Sequence, residues 1–206
     1  PFAVTSPFSR THAYCDDGDY SVTVIVIDDD GDSDSGTTTV TVDNVAPTVT
    51  AVENDGPVDE NSAVTVSTTF TDPATCSETF MATIDWGDGN TGGPFAVTSP
   101  FSRTHAYCDD GSYTVTVIVT DDEGDSDSGT TSVTVDNVAP TVTAVENDGP
   151  VHVDAPVTVS TTLTDPATCP ETILATSAWG DGHTAGPTTE NSPVSRHHAS
   201  CDDGSY

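Results

Sequence analysis

Residues 105–124 read HAYCDDGSYTVTVIVTDDEG, and the centre of this stretch, Tyr113–Thr120, decides the fold. Tyr113, Val115, Val117 and Val119 alternate with Thr114, Thr116, Ile118 and Thr120. That period of two in β-branched residues is the pattern of a strand with one face buried. Asp109-Asp110-Gly111 precedes it and the acidic turn 121–128 follows it, so the strand is punctuated at both ends. Working outward, Pro47–Val52 (PTVTAV), Ala63–Phe70 (AVTVSTTF), Phe80–Trp86 (FMATIDW) and Thr130–Val135 (TSVTV after the first threonine) repeat the pattern. Turn signals fall at Asn54–Pro57 and at Gly87–Asn90, while Phe95–Tyr107 reads as one or two short edge strands. No segment sustains a helical period. Short strands at this spacing predict an all-β fold, an antiparallel immunoglobulin-like sandwich.

The sandwich is repeated. Pro1–Gly18 (PFAVTSPFSRTHAYCDDG) recurs unchanged at Pro94–Gly111, 93 residues later. Between 1–43 and 94–136 the differences are Asp19/Ser112, Ser21/Thr114, Ile27/Thr120, Asp30/Glu123 and Thr39/Ser132. A unit of 93 residues is long enough to bury a core of its own. The chain therefore divides into the C-terminal part of a first repeat (1–43), a complete second repeat (44–136) and the N-terminal part of a third (137–206). The joins at 42–47 and 135–140 are short and end in proline, which favours a semi-rigid tandem array. The incomplete outer repeats suggest a window on a longer chain, or subunits that complete one another end to end by strand addition.

The formal net charge is −31, from 34 acidic residues against three arginines and no lysine. Such a field repels nucleic acid and anionic lipid, and no apolar run reaches the roughly 20 residues of a membrane span. The strand chemistry argues against disorder. Screening salt or bound cations would relieve the self-repulsion.

The cysteines fall at equivalent places: Cys76 and Cys108 in the second repeat, Cys169 and Cys201 in the third, and Cys15 in the first. Their positions predict disulfides Cys76–Cys108 and Cys169–Cys201, with the partner of Cys15 outside the chain, and hence an oxidising, extracellular or cell-surface setting. A loop of this size would stabilise the fold by about 3–4 kcal/mol.

Three motifs, IDWGDG (84–89), HAYCDDGSYTVTVIVTDDEG (105–124) and DNVAPTV (136–142), closely resemble PKD (polycystic kidney disease) repeats of prokaryotic surface and extracellular proteins. The third repeat departs from the pattern at Ser177, Ala178 and Ser200. The resemblance implies tandem PKD-type sandwiches, with Trp86, Trp179 and Tyr107 as core residues.

The densest oxygen clusters are Asp28, Asp30, Asp32 and Asp34 in one turn and Asp121, Asp122, Asp125 and Asp127 in its repeat. Calcium takes six to eight oxygens, and the joins Asp43-Asn44 and Asp136-Asn137 could complete a shell. Calcium sites near such a turn in some PKD-like domains support the same expectation; a solvated acidic turn is the plain alternative. The spacing does not match an EF-hand loop. His12, His105 and His198 recur once per repeat with no nucleophile pattern around them, so they read as structural and the chain as non-enzymatic. Exposed tryptophans could stack on sugars, but the strand position of Trp86 and Trp179 favours the core. The expected function is a structural region of an extracellular filament, stalk or adhesin shaft, with neighbouring repeats or identical subunits as partners. The alternative is a spacer or a carbohydrate- or protein-binding module of a secreted hydrolase.

Overall fold

A computed structural model of the 206-residue chain describes residues 3–74, 76, 78–170, 172–190 and 194–199. The described residues form strands and no helix: β1 (Gly18–Ile27), β2 (Ser33–Val42), β3 (Thr48–Asn54), β4 (Val58–Asp59), β5 (Ala63–Thr71), β6 (Phe80–Asp85), β7 (Thr91–Val97), β8 (Phe101–Ala106), β9 (Gly111–Thr120), β10 (Ser126–Asp136), β11 (Thr141–Asn147), β12 (Pro156–Thr164), β13 (Ile173–Ala178), β14 (Thr184–Glu190) and β15 (Val194–Ala199). Residues 48–136 supply a three-stranded sheet, β3-β5-β8, and a five-stranded sheet, β4-β10-β9-β6-β7. This is the all-β immunoglobulin-like sandwich that the alternation predicts. The loose stretch before Tyr107 resolves into β7 and β8. Two features lay outside the sequence reading: the two-residue β4, which pairs parallel to β10 through Val58 and Val135, and the polar start of β10 at Ser126.

Alternation becomes packing in the second repeat. Val64 and Val66 of β5, Ala82 and Ile84 of β6, Val115, Val117 and Val119 of β9, and Val133 and Val135 of β10 are all buried. Phe70 of β5 meets Phe80 of β6 edge-on, with ring centroids 4.9 Å apart, so the two sheets face each other. Gly129 of β10 lies so close to β3 that a Cβ there would meet Val52 Cγ2 at 2.6 Å and Val49 Cγ1 at 2.8 Å. At the tight turn after β6, Gly87 has φ +81°, and a Cβ there would meet the Thr114 carbonyl at 2.5 Å; only glycine suits both demands.

By compactness the chain forms two units. One comprises 1–54, 65–103 and 114–132; the other comprises 55–64, 104–113 and 133–206. In the first, β1 and β2 make an isolated antiparallel hairpin in register from Gly18/Val42 to Ile27/Ser33. In the second, β11-β12-β15 and β13-β14 form separate small sheets. Both repeat the strand pairings of the middle copy without its burial.

Candidate structural junction between repeats

The disulfides differ from the expected ones. The bonds are Cys15–Cys76 and Cys108–Cys169, with Cα separations of 5.3 and 5.2 Å. The expected Cys76–Cys108 and Cys169–Cys201 bonds are therefore corrected, since Cys76 is bonded to Cys15 and Cys169 to Cys108, as is the expectation that Cys15 pairs outside the chain. Cys201 itself lies outside the described residues. The physical reason is strand direction. At the start of β5 the Asn61 amide donates to the Tyr107 carbonyl, one residue before Cys108. At its far end the Phe70 amide donates to Ser99 Oγ, and Cys76 follows soon after. Nine strand residues, about 30 Å, separate the two ends of β5. A disulfide needs Cα atoms about 5.5–6 Å apart. Each bond thus joins a cysteine of one sequence repeat to a cysteine of the next. Main-chain hydrogen bonds flank both: Cys76 N to Cys15 O at 3.3 Å, and Thr168 N to Cys108 O at 3.2 Å.

Beside the first disulfide, the join between repeats is fastened to the acidic turn. Asn44 donates its amide to Asp121 Oδ2 at 2.9 Å and to Asp125 Oδ2 at 3.1 Å. Asp121, 5% exposed, also accepts from the Gly124 and Asp125 amides through Oδ1, at 2.8 and 2.7 Å. Asp127 Oδ2 accepts from the Val49 amide at 2.8 Å. Asp122 Oδ1 accepts from the Thr79 amide at 3.4 Å. In the first repeat, Asp28 Oδ1 accepts from the Asp32 amide and Asp34 Oδ1 from the Ser35 amide. Asp30, Asp32, Asp43, Asp136 and Asn137 are exposed. These residues were expected to gather around calcium. The structure brings Asn44 to Asp121 and Asp125, and among the described residues no three acidic, histidine or cysteine side chains are grouped as a metal site would need. Several of the carboxylates act as acceptors that shape the turn and hold the join, an Asx-type role.

Two junction residues escaped the sequence reading. Glu78 shares a cleft with Cys15, Asp43, Asn44 and Asp72. Burial, then the adjacent Asp72 carboxyl, with Glu123 and Asp121 adding, pushes its carboxyl up to about 7. Asp72 Oδ2 and Glu78 Oε2 are buried with no donor. In the second unit, Glu60 is 2% exposed. Its Oε1 accepts from the Val138 amide at 2.8 Å, and its own amide donates to the Asp136 carbonyl at 3.1 Å. Nothing in the local pattern marks either glutamate, since each lies in a polar loop whose partners are distant in sequence.

Of the aromatic residues assigned to the core, Trp86 is 6% exposed, and Tyr107 is fully buried and stacked on Tyr113 at 4.1 Å. Trp179 is half-buried and departs from that assignment. His12 and His105 each set a ring edge against the tyrosine two residues on, at 4.8 and 4.7 Å.

A two-sheet sandwich with a buried tryptophan, fastened through its joins to sequence neighbours, defines an immunoglobulin-like module of a tandem array. The model of one such family, the PKD domain, matches residues 44–136, and this segment belongs to that family. Among solved structures, the chain is similar to the PKD domain of an M14-like peptidase from Thermoplasmatales archaeon SCGC AB-540-F20. Identity is 25%, coverage is 45% of this chain and 98% of that one, and the TM-score is 0.40. A search of curated proteins returned no match. PKD domains and disulfides are both typical of extracellular proteins. No helix of the described residues is long and apolar enough to cross a membrane.

Proposed function

We propose that this chain is a non-enzymatic section of an extracellular tandem array, in which the PKD-type sandwich at 44–136 and the partial repeats at 1–43 and 137–206 serve as the shaft of a filament, stalk or adhesin. The observation that carries this reading is the disulfide pattern. A bond inside one sandwich would serve that sandwich alone, whereas Cys15–Cys76 and Cys108–Cys169 each fasten one repeat to the next. The hydrogen bonds of Asn44 at the same join act in the same sense. Intact-mass analysis and peptide mapping of the native protein test the reading. A polypeptide carrying a run of further repeats is the expected result; repeats flanking a catalytic domain would replace the shaft by the spacer of a secreted hydrolase.

Calcium belongs to this proposal as a counter-ion of the acidic turn at Asp121, Asp122, Asp125 and Asp127 beside the junction. In the same junction the folded state holds the Glu78 proton up to about pH 7, against an ordinary glutamate value of 4.5. Between those values folding takes up a proton, so this contribution to stability is greatest below about 4.5 and is lost as pH rises toward 7. Thermal midpoints recorded across this window are expected to fall less steeply for Glu78→Gln than for the parent. Millimolar calcium is expected to raise the parent's midpoint at pH 8 more than at pH 5. An equal effect at both pH values would remove calcium from the reading.

A further inference from the structure

We infer that the turn between β4 and β5, residues 59–62, is the surface by which one repeat selects the repeat that follows it, and that the partner it fits is a repeat whose loop reads Asp-Pro-Ala-Thr-Cys. This inference rests on the reading of the chain as a tandem array and names the residues that decide which repeats stand side by side.

The turn is fixed from the side of its own repeat. β4 lies along the end of β10, with Val58 beside Val135 and Asp59 beside Asp136. The Ser62 amide closes the turn on the Asp59 carbonyl at 3.0 Å. Asn61 takes φ +59°, a left-handed conformation that asparagine tolerates better than most side chains. Its amide donates to the Tyr107 carbonyl at 2.8 Å, which anchors the turn one residue before Cys108. From this base two side chains reach the third repeat. Asn61 Nδ2 donates to the Pro166 carbonyl, and Asn61 Oδ1 accepts from Thr168 Oγ1 at 2.8 Å. Glu60, 2% exposed, accepts from the Val138 amide at 2.8 Å. One asparagine therefore grips the chain on both sides of the Cys108–Cys169 bond, at residue 107 through its backbone and at 166 and 168 through its side chain. A carboxamide donates and accepts at once, which matches a carbonyl and a hydroxyl presented together.

Comparison between the repeats separates shape from chemistry. The loop has the same letters at 72–76 and 165–169. It also starts in the same way, with the Ala74 and Ala167 amides donating to Asp72 Oδ1 and Asp165 Oδ1 at 2.8 and 3.0 Å. The turn of the second repeat thus complements the loop of either repeat. The turns themselves differ: Val153 and Asp154 stand at the places of Glu60 and Asn61. Asp154 keeps the backbone conformation, with φ +63°, and the Ala155 amide closes this turn on the His152 carbonyl at 3.0 Å. A valine side chain, however, offers no acceptor to an amide, and a carboxylate offers no donor to a carbonyl. Both repeats keep the form of the turn, and the second alone carries the groups that read the loop.

Redox titration of the 206-residue chain in glutathione buffers, read by alkylation and peptide mapping, compares the two disulfides within one molecule. Installing the third repeat's residues, Glu60→Val with Asn61→Asp, is expected to lower the equilibrium constant of Cys108–Cys169 relative to Cys15–Cys76, by about fivefold for each hydrogen bond lost. Asn61→Gly tolerates the left-handed backbone and removes only the side chain; it should weaken the same disulfide and spare the other. Hydrogen exchange supplies a readout at the second contact. Glu60→Val should speed exchange of the Val138 amide by about fivefold, with the amides of β9 unchanged. Glu60→Gln, which keeps an acceptor oxygen, should leave Val138 as in the parent. An unchanged disulfide ratio in the Asn61→Gly chain, or exchange that rises in β9 as much as at Val138, would overturn the selection of neighbours by this turn. A native polypeptide whose repeats flank a catalytic domain would instead remove the shaft and leave that selection standing.

Discussion

Cys76→Ser is expected to liberate the thiol of Cys15 and to leave Cys108 protected. Alkylation under native conditions followed by peptide mapping reads this directly. A bond inside the middle sandwich would give the opposite pattern, with Cys108 modified. The stability effect should be large, because Cys15 and Cys76 are 61 residues apart in sequence. In the chain-entropy treatment, opening a loop of that size costs about 4 kcal/mol. The melting transition of the unit holding residues 65–103 should shift most, with the Cys108–Cys169 bond unaffected.

The second large effect concerns the paired tryptophans. Trp86→Ala is expected to cost about 3–5 kcal/mol, the usual penalty for removing a fully packed indole. Trp179→Ala, at the equivalent place in the next repeat, should cost less than half as much, about 1–2 kcal/mol, because that side chain is only half-buried. Denaturant melts of the two variants give the comparison. Equal losses would mean that the third repeat is covered in solution as completely as the second.

Local chemistry accounts for most of the fold that was readable in advance. Ala63–Phe70 alternates cleanly and becomes β5, extended by one residue; Tyr113–Thr120 becomes β9. The Ser126 end of β10 was illegible because its residues are small and polar, as in a turn, and what makes it a strand is pairing, not burial. The cysteine partners were illegible for a different reason. Every repeat presents the same cysteine positions, so pairing within a copy and pairing to the next satisfy the sequence equally well. Only the antiparallel run of β5 beside β8, which carries residues 76 and 108 away from each other, separates the two. The role of Asp121 as an acceptor for Gly124, Asp125 and Asn44 was illegible in the sequence, because it depends on where the join returns in space.

The disulfides also redraw the route by which the covalent chain runs from one end to the other. A pull on the two termini passes from Cys15 directly to Cys76 and from Cys108 directly to Cys169. Residues 16–75 and 109–168 are side loops of that circuit, each withholding about 200 Å of extended chain. Between the two bonds, β6, β7 and β8 lie on the mechanical path, while β3, β5, β9 and β10 of the same sandwich are shielded from it. The same circuit tolerates damage: a protease that cuts once within either loop leaves the molecule a single covalent piece.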